Sequence, residues 1–234
     1  MGRIRRMRKR DLAILNDLTR FRCLTRDDII ELHFSNLKNP VTCCNTVLKR
    51  LRRDCHIEAN TSQQPFIYFL APAPIKKDST KIPHFLRIVD FYKQIKKHED
   101  PHTFIVEPKY GKGFMEPDAF MRFKKRPFFV EIQRTIYSER TMNEKVKRYE
   151  AYYYREEWKN EAWQPKERKP IFPRIVMITD TRYNIESSVI KIIQTPSVEE
   201  FVEGLAPVQP PKQIKQEPST GIQVNSGNLR YKAL

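Results

Sequence analysis

A chain of 234 residues, 39% of them apolar, is long enough to bury one large core or two small ones. Its 44 Lys and Arg against 28 Asp and Glu leave a formal charge of +16, a surplus that points to a polyanionic partner, nucleic acid before an anionic membrane. No apolar run approaches the roughly 18 residues needed to span a bilayer, and no signal-peptide core follows the basic start, so a cytoplasmic protein without a membrane partner is expected.

Arg3, Arg5, Arg6, Arg8, Lys9 and Arg10 make a basic arm over residues 1–10, read either as a solubilising tail or as a phosphate-seeking arm. From Asp11 the apolar spacing of Leu12, Ile14, Leu15 and Leu18 predicts a helix to Arg20. Phe21 to Leu24 read as a connector. Thr25, followed by Asp27 and Asp28, then predicts an N-capped second helix to about Phe34, with His33 a packing residue. Pro40 suits the first turn of a third helix, whose inward face is drawn from Cys44, Val47, Leu48, Leu51 and Cys55. Its opposite face carries Thr42, Asn45, Thr46, Lys49, Arg52 and Arg53. Short polar side chains can meet base edges there while the cations meet phosphates.

Two strands, Ile57 to Ala59 and Phe66 to Leu70, flank a polar turn. Three helices and a hairpin make residues 11–70 a winged helix-turn-helix, and Met1 to Asp78 hold 16 Lys and Arg against 8 Asp and Glu. Double-stranded DNA is the expected partner; protein contact is the alternative use of such a module. Cys23, Cys43, Cys44 and Cys55 contain no Cys-x-x-Cys pair and are read as buried free thiols, although Cys55-His56 offers a ligand pair.

Residues 71–83, rich in proline, read as a linker. Helical spacing returns from His84 to His98, and Thr103 to Glu107 reads as a strand. Asp118 to Phe123 and Phe128 to Ile132 then form a hairpin around the basic turn Lys124 to Pro127. Alternation puts Phe129 and Glu131 on one face, continued by Gln133, and the pairing can bring Asp118 near Glu131. Two carboxylates at the ends of adjacent strands either hold a hard divalent cation or are solvated acids of an ordinary hairpin.

Met142 to about Asn160 reads as a long helix, with Val146, Tyr149, Tyr153 and Glu157 on one stripe and Lys145, Arg148, Tyr152 and Arg155 on another. Trp158 and Trp163 read as structural. Arg174 to Thr179 is an interior strand, Tyr183 to Ile190 looks helical, Lys191 to Thr195 looks like a strand, and Ser197 to Leu205 a capped helix. Residues 206–234 lack apolar periodicity and are expected to be disordered. The fold class is therefore α+β, with a mixed central sheet in the second half.

In order and spacing, the helix-and-hairpin module, Pro117-Asp118-Ala119, Phe128-Phe-Val-Glu131-Ile-Gln133-Arg134-Thr135 and Lys145-Val-Lys-Arg-Tyr149 resemble the replication-relaxation family of Gram-positive plasmids, phages and mobile elements. The second half, residues 84–205, also resembles the PD-(D/E)xK nuclease superfamily. That resemblance implies Asp118 and Glu131 as metal ligands, with Mg²⁺ the cofactor of an active enzyme. Gln133 stands where the lysine is expected; it can orient a water but supplies no charge, and Lys145 or Lys147 could take the part. The implied function is DNA binding in replication, transfer or transcription control, with a degenerate nuclease-like domain. The alternatives are a Mg²⁺-dependent DNA endonuclease using Asp118, Glu131, Gln133 and Lys145, and a protein-interaction adaptor. A homodimer and replication or transfer proteins are the further partners this reading allows.

Overall fold

The computed structural model describes residues 7–133 and 135–205. Arg5, Arg6 and the expected tail at 206–234 lie outside the described residues. The fold is α+β, with six α-helices among the described residues, a three-stranded antiparallel sheet and a mixed five-stranded sheet.

The first helix, α1 (Lys9–Phe21), begins inside the expected arm. Arg8 is its N-cap, and the Asp11 carboxylate accepts the Arg8 backbone N–H at 3.0 Å, which starts the helix two residues before Asp11. β1 (Leu24–Thr25) occupies part of the expected connector and pairs antiparallel with Ile67 and Tyr68. Thr25 caps α2 (Arg26–His33) through a reciprocal box with Asp28, as its sequence predicts. α3 (Pro40–Arg53) buries Cys44, Leu48 and Leu51. Cys55 departs from the expected inward face: it lies past the helix end at φ +56° and is exposed. All four cysteines are free, and burial pushes the Cys23 and Cys44 thiols up to about 12, so neither is a ready thiolate ligand. β2 (Ile57–Asn60) and β3 (Ile67–Leu70) form the expected hairpin, in the sheet order β1-β3-β2.

The proline-rich connection is tied to that hairpin. Asn60 donates to the Lys77 carbonyl at 2.7 Å, and Lys77 pairs with Glu58 at 2.9 Å. α4 (Ile82–His98) starts within the expected linker, with Pro83 in its first turn, where a missing N–H costs nothing. α4 also joins the two halves. Lys93 bonds Asp28 at 2.8 Å and Glu31 at 2.9 Å, and the Tyr92 ring packs on Phe21 and Phe104. The described residues up to Gly204 accordingly group as one compact unit.

The larger sheet runs β4 (Thr103–Val106), β5 (Ala119–Phe123), β6 (Arg126–Ile132), β7 (Arg174–Ile178) and β8 (Ile192–Thr195) in spatial order. β4, β5 and β6 pair antiparallel, whereas β6, β7 and β8 pair parallel. The β5–β6 turn is tighter than expected: Lys124 and Lys125 alone form it, both at positive φ as a primed hairpin turn demands. Pro127 is already in β6, opposite Arg122 and before the pairing with β7 begins, so its absent N–H breaks no ladder.

α5 (Glu139–Arg155) and α6 (Val198–Glu203) complete the larger layer. Val146 and Tyr149 of α5 pack with Phe120, Phe129, Ile175 and Met177 of the sheet, while Phe201 of α6 meets Phe123 and Phe128 from the other side. α5 begins three residues earlier than expected, because Ser138 caps it through Thr141, and ends when Glu156 turns left-handed. Tyr152, on the stripe with Lys145, Arg148 and Arg155, is buried, because Tyr110, Phe114 and Phe172 pack around it. Tyr183 to Ile190 is irregular rather than helical. Gln194 bonds both backbone groups of Tyr183, and the Ser187 hydroxyl accepts from Val189 and Ile190 while donating to Glu150, so local side chains replace helical bonds.

Candidate functional site

Two polar surfaces emerge, one in each half. The first begins with β6, the middle strand of the larger sheet, whose residues 127–131 are all buried. Ala119 pairs with Val130, so the next step of the register sets Asp118 across from Glu131, as the hairpin reading expects. Glu131 is 2% exposed, and such a carboxylate needs partners. Tyr149 donates its hydroxyl to Oε1 at 2.6 Å, and the Lys145 ammonium sits 2.7 Å from Oε2. These donors are four residues apart on α5 and therefore share a face.

Asp118 accepts the Ile132 backbone N–H at 2.6 Å. Its other oxygen lies 3.6 Å from Nε2 of His84, which is also 3.5 Å from Glu107. Burial, then the charge of Glu131, pushes the Asp118 carboxyl up to about 7, although the Ile132 N–H and Lys145 pull it down. Burial works against the Lys145 ammonium, but Glu131 and then Asp118 more than offset it and raise the group. Gln133 turns its Nε2 into a buried position without a hydrogen-bond partner among the described residues. A pocket of about 500 Å³ opens here, lined by His84, Glu107, Asp118, Gln133, Tyr137 and Lys145 with their neighbours.

The four residues singled out in the sequence, Asp118, Glu131, Gln133 and Lys145, thus converge. His84 and Glu107 were missed, because their contributions depend on α4 and the end of β4 folding onto β5. A metal ion would find only two carboxylates side by side here, Asp118 and Glu131. Both Glu131 oxygens already serve donors from α5, so such a cation would share the carboxylate with the Lys145 ammonium and be repelled by it. Among the described residues, no group of three or more His, Cys, Asp or Glu side chains is placed to hold a metal.

The second surface is built on α3. Burying Cys44, Leu48 and Leu51 turns Thr42, Asn45, Thr46, Lys49, Arg52 and Arg53 outward, and all six are exposed. Asn45, Lys49, Arg52 and Arg53 line a groove of about 670 Å³ between α3 and the β2–β3 hairpin. Its remaining walls are Arg26, Gln64, Phe66 and Tyr68, so four cations and no acid face it. The Thr46 hydroxyl instead donates to the Thr42 carbonyl at 2.9 Å, which ties it to its own helix. A second groove of about 440 Å³ on the other flank of α3 adds Arg8 and Arg50 to Lys49 and Arg53. Arg50 is not spare: it pairs at 2.6 Å with Asp11, which is 1% exposed.

The chain matches no protein-family model, no curated protein and no solved structure. Among the described residues, no helix is long and apolar enough to cross a membrane. The functional reading therefore rests on these two surfaces.

Proposed function

We propose that this protein binds duplex DNA through a winged helix-turn-helix, in which α3 is the recognition helix and the β2–β3 hairpin is the wing. One observation carries the reading: the groove between α3 and the hairpin faces solvent with four cations and no acid. Phosphates are drawn to such a lining, and Asn45 beside Lys49 and Arg52 supplies a polar group for base edges. The second half is read as a nuclease-like fold that serves binding rather than cleavage, because Gln133 replaces the lysine and Lys145 is committed to Glu131. A setting in replication, transfer or transcription control of a mobile element rests on the motif resemblance alone.

The test is titration of the full-length protein with duplex DNA at several salt concentrations. Reversing Lys49, Arg52 and Arg53 to glutamate should weaken binding roughly a hundredfold or more and flatten its salt dependence. Unchanged affinity in that variant would sink the proposal.

A second reading, a metal-dependent DNA endonuclease, draws on Lys145, whose ammonium reaches the carboxylate pair where the superfamily's lysine would act. It is tested with supercoiled DNA and Mg²⁺ or Mn²⁺. Cleavage lost in both Asp118→Ala and Glu131→Ala would replace the binding-only reading of this half; cleavage retained in both would point to contamination.

A further inference from the structure

We infer that the groove between α3 and the β2–β3 hairpin seats one unpaired nucleotide of a DNA strand. The inference rests on the DNA-binding reading above and deepens it. The groove has one aromatic face open to it, the half-buried Phe66, backed by the buried Tyr68. Two carboxamides stand beside it, Asn45 from α3 and Gln64 from the hairpin, and neither has a hydrogen-bond partner among the described residues. Arg26 and Arg53 pair with Asp27 and Asp54 at 2.9 Å. Lys49 and Arg52 have no ion pair among the described residues, which leaves two cations for an incoming anion.

Each of these groups answers a different part of a nucleotide. An aromatic ring takes the flat face of a base, and that face is reachable only when the base has left the stack. A carboxamide sets a donor beside an acceptor and so matches the Watson–Crick edge, which pairing conceals in a duplex. Lys49 and Arg52 meet the attached phosphate. At about 670 Å³ the groove falls in the size range of small-ligand sites, roughly 300–1,000 Å³. A paired base offers a protein only its groove edges, so a fully paired duplex would leave the half-buried Phe66 ring without a stacking partner. The lining without acids argues against a metal ion or a cationic ligand.

A free mononucleotide shares this chemistry with an unpaired strand residue, and the experiment separates the two. The full-length protein is titrated with a paired duplex, with the same duplex carrying one unpaired fluorescent purine analogue, and with dAMP. The unpaired probe should bind about tenfold tighter than the paired one, and its emission should change as the ring stacks. Phe66→Leu keeps apolar bulk but removes the π face, and Gln64→Ala alters an exposed side chain. Each should lose most of the preference, read as the ratio of unpaired-probe to paired-duplex affinity within the same variant.

Equal affinity for paired and unpaired probes, with unchanged emission, would overturn the inference and leave duplex binding intact. Failure to bind either DNA would overturn both readings. dAMP binding as tightly as the unpaired probe would assign the groove to free nucleotides and overturn the strand-borne form. Should Phe66→Leu lose its native circular dichroism, Gln64→Ala decides the matter.

Discussion

Lys145 reaches from α5 to Glu131 on β6, with Nζ 2.7 Å from Oε2, so the cation that position 133 lacks enters the carboxylate centre from a different element. Glu131 is almost wholly buried, whereas the Lys145 side chain keeps 31% of its surface. This pair fastens α5 to the middle of the sheet as much as it shapes the pocket. Removing one member leaves a buried charge with incomplete compensation. Lys145→Met should therefore destabilise the fold by up to roughly 3 kcal/mol in urea unfolding, the lower end for breaking a buried pair. Adding Glu131→Gln to that variant should recover more than half of the loss. If the double variant is no more stable than Lys145→Met, the pair is not coupled in this way.

Tyr149 tests the other Glu131 oxygen. The ring is fully buried and its hydroxyl donates to Oε1 at 2.6 Å; burial, then Glu131, holds the phenol well above its usual range, so it remains a donor. Tyr149→Phe keeps the ring and removes one hydrogen bond to a charged group. The expected cost is about 1.5–3 kcal/mol. Because both donors act on one carboxylate, Tyr149→Phe and Lys145→Met should combine non-additively in the same assay.

Asp118 gives the fold a pH dependence with a definite sign. Burial and the neighbouring Glu131 raise its carboxyl from 3.8 to about 7, so the folded chain holds the proton more tightly than the unfolded chain. The stability linked to that proton is complete below about 3.8 and is lost as pH climbs to about 7. Asp118→Asn keeps an acceptor for the Ile132 N–H but cannot ionise. Its Tm should exceed that of the parent protein above neutrality by an amount corresponding to on the order of 2 kcal/mol, allowing for solvent screening. The gap should shrink as the buffer is acidified through the same range. A constant gap across the titration would remove Asp118 as its source.

The sequence carried the parts of both surfaces that depend on local periodicity. The outward face of α3 follows from Cys44, Leu48 and Leu51 being buried at helical spacing, and the Asp118–Glu131 pairing follows from alternation across one short hairpin. What depended on distant packing was not legible. Phe66 and Tyr68 look like ordinary strand residues until α3 closes over them, and His84 and Glu107 meet Asp118 only because α4 lies against the sheet. Helical phase grouped Tyr152 with Lys145, Arg148 and Arg155 and did not include the 110–114 loop and Phe172 that wrap α5 on a second side. Glu156 gave no stop signal because the residue that turns left-handed there is not glycine.

Arg50 and Arg52, within one turn of α3, differ in what their charge meets. Arg50 is locked on Asp11 at 2.6 Å beneath the start of α1, while Arg52 is exposed, faces the groove between α3 and the β2–β3 hairpin and has no ion pair among the described residues. If duplex phosphates occupy that groove, Arg52→Ala should weaken DNA binding and lower the slope of log K against log salt by about 0.9, the value for one phosphate contact. Its unfolding curve should barely move, as expected for an exposed side chain. Arg50→Ala should do the reverse. Asp11 would be left buried without its cation, so stability should fall by roughly 3 kcal/mol, with the salt slope of DNA binding unchanged at temperatures where the variant is folded. Equal losses of salt slope in the two variants would mean that Arg50 leaves Asp11 for the phosphate backbone, and the division of labour along α3 would be wrong.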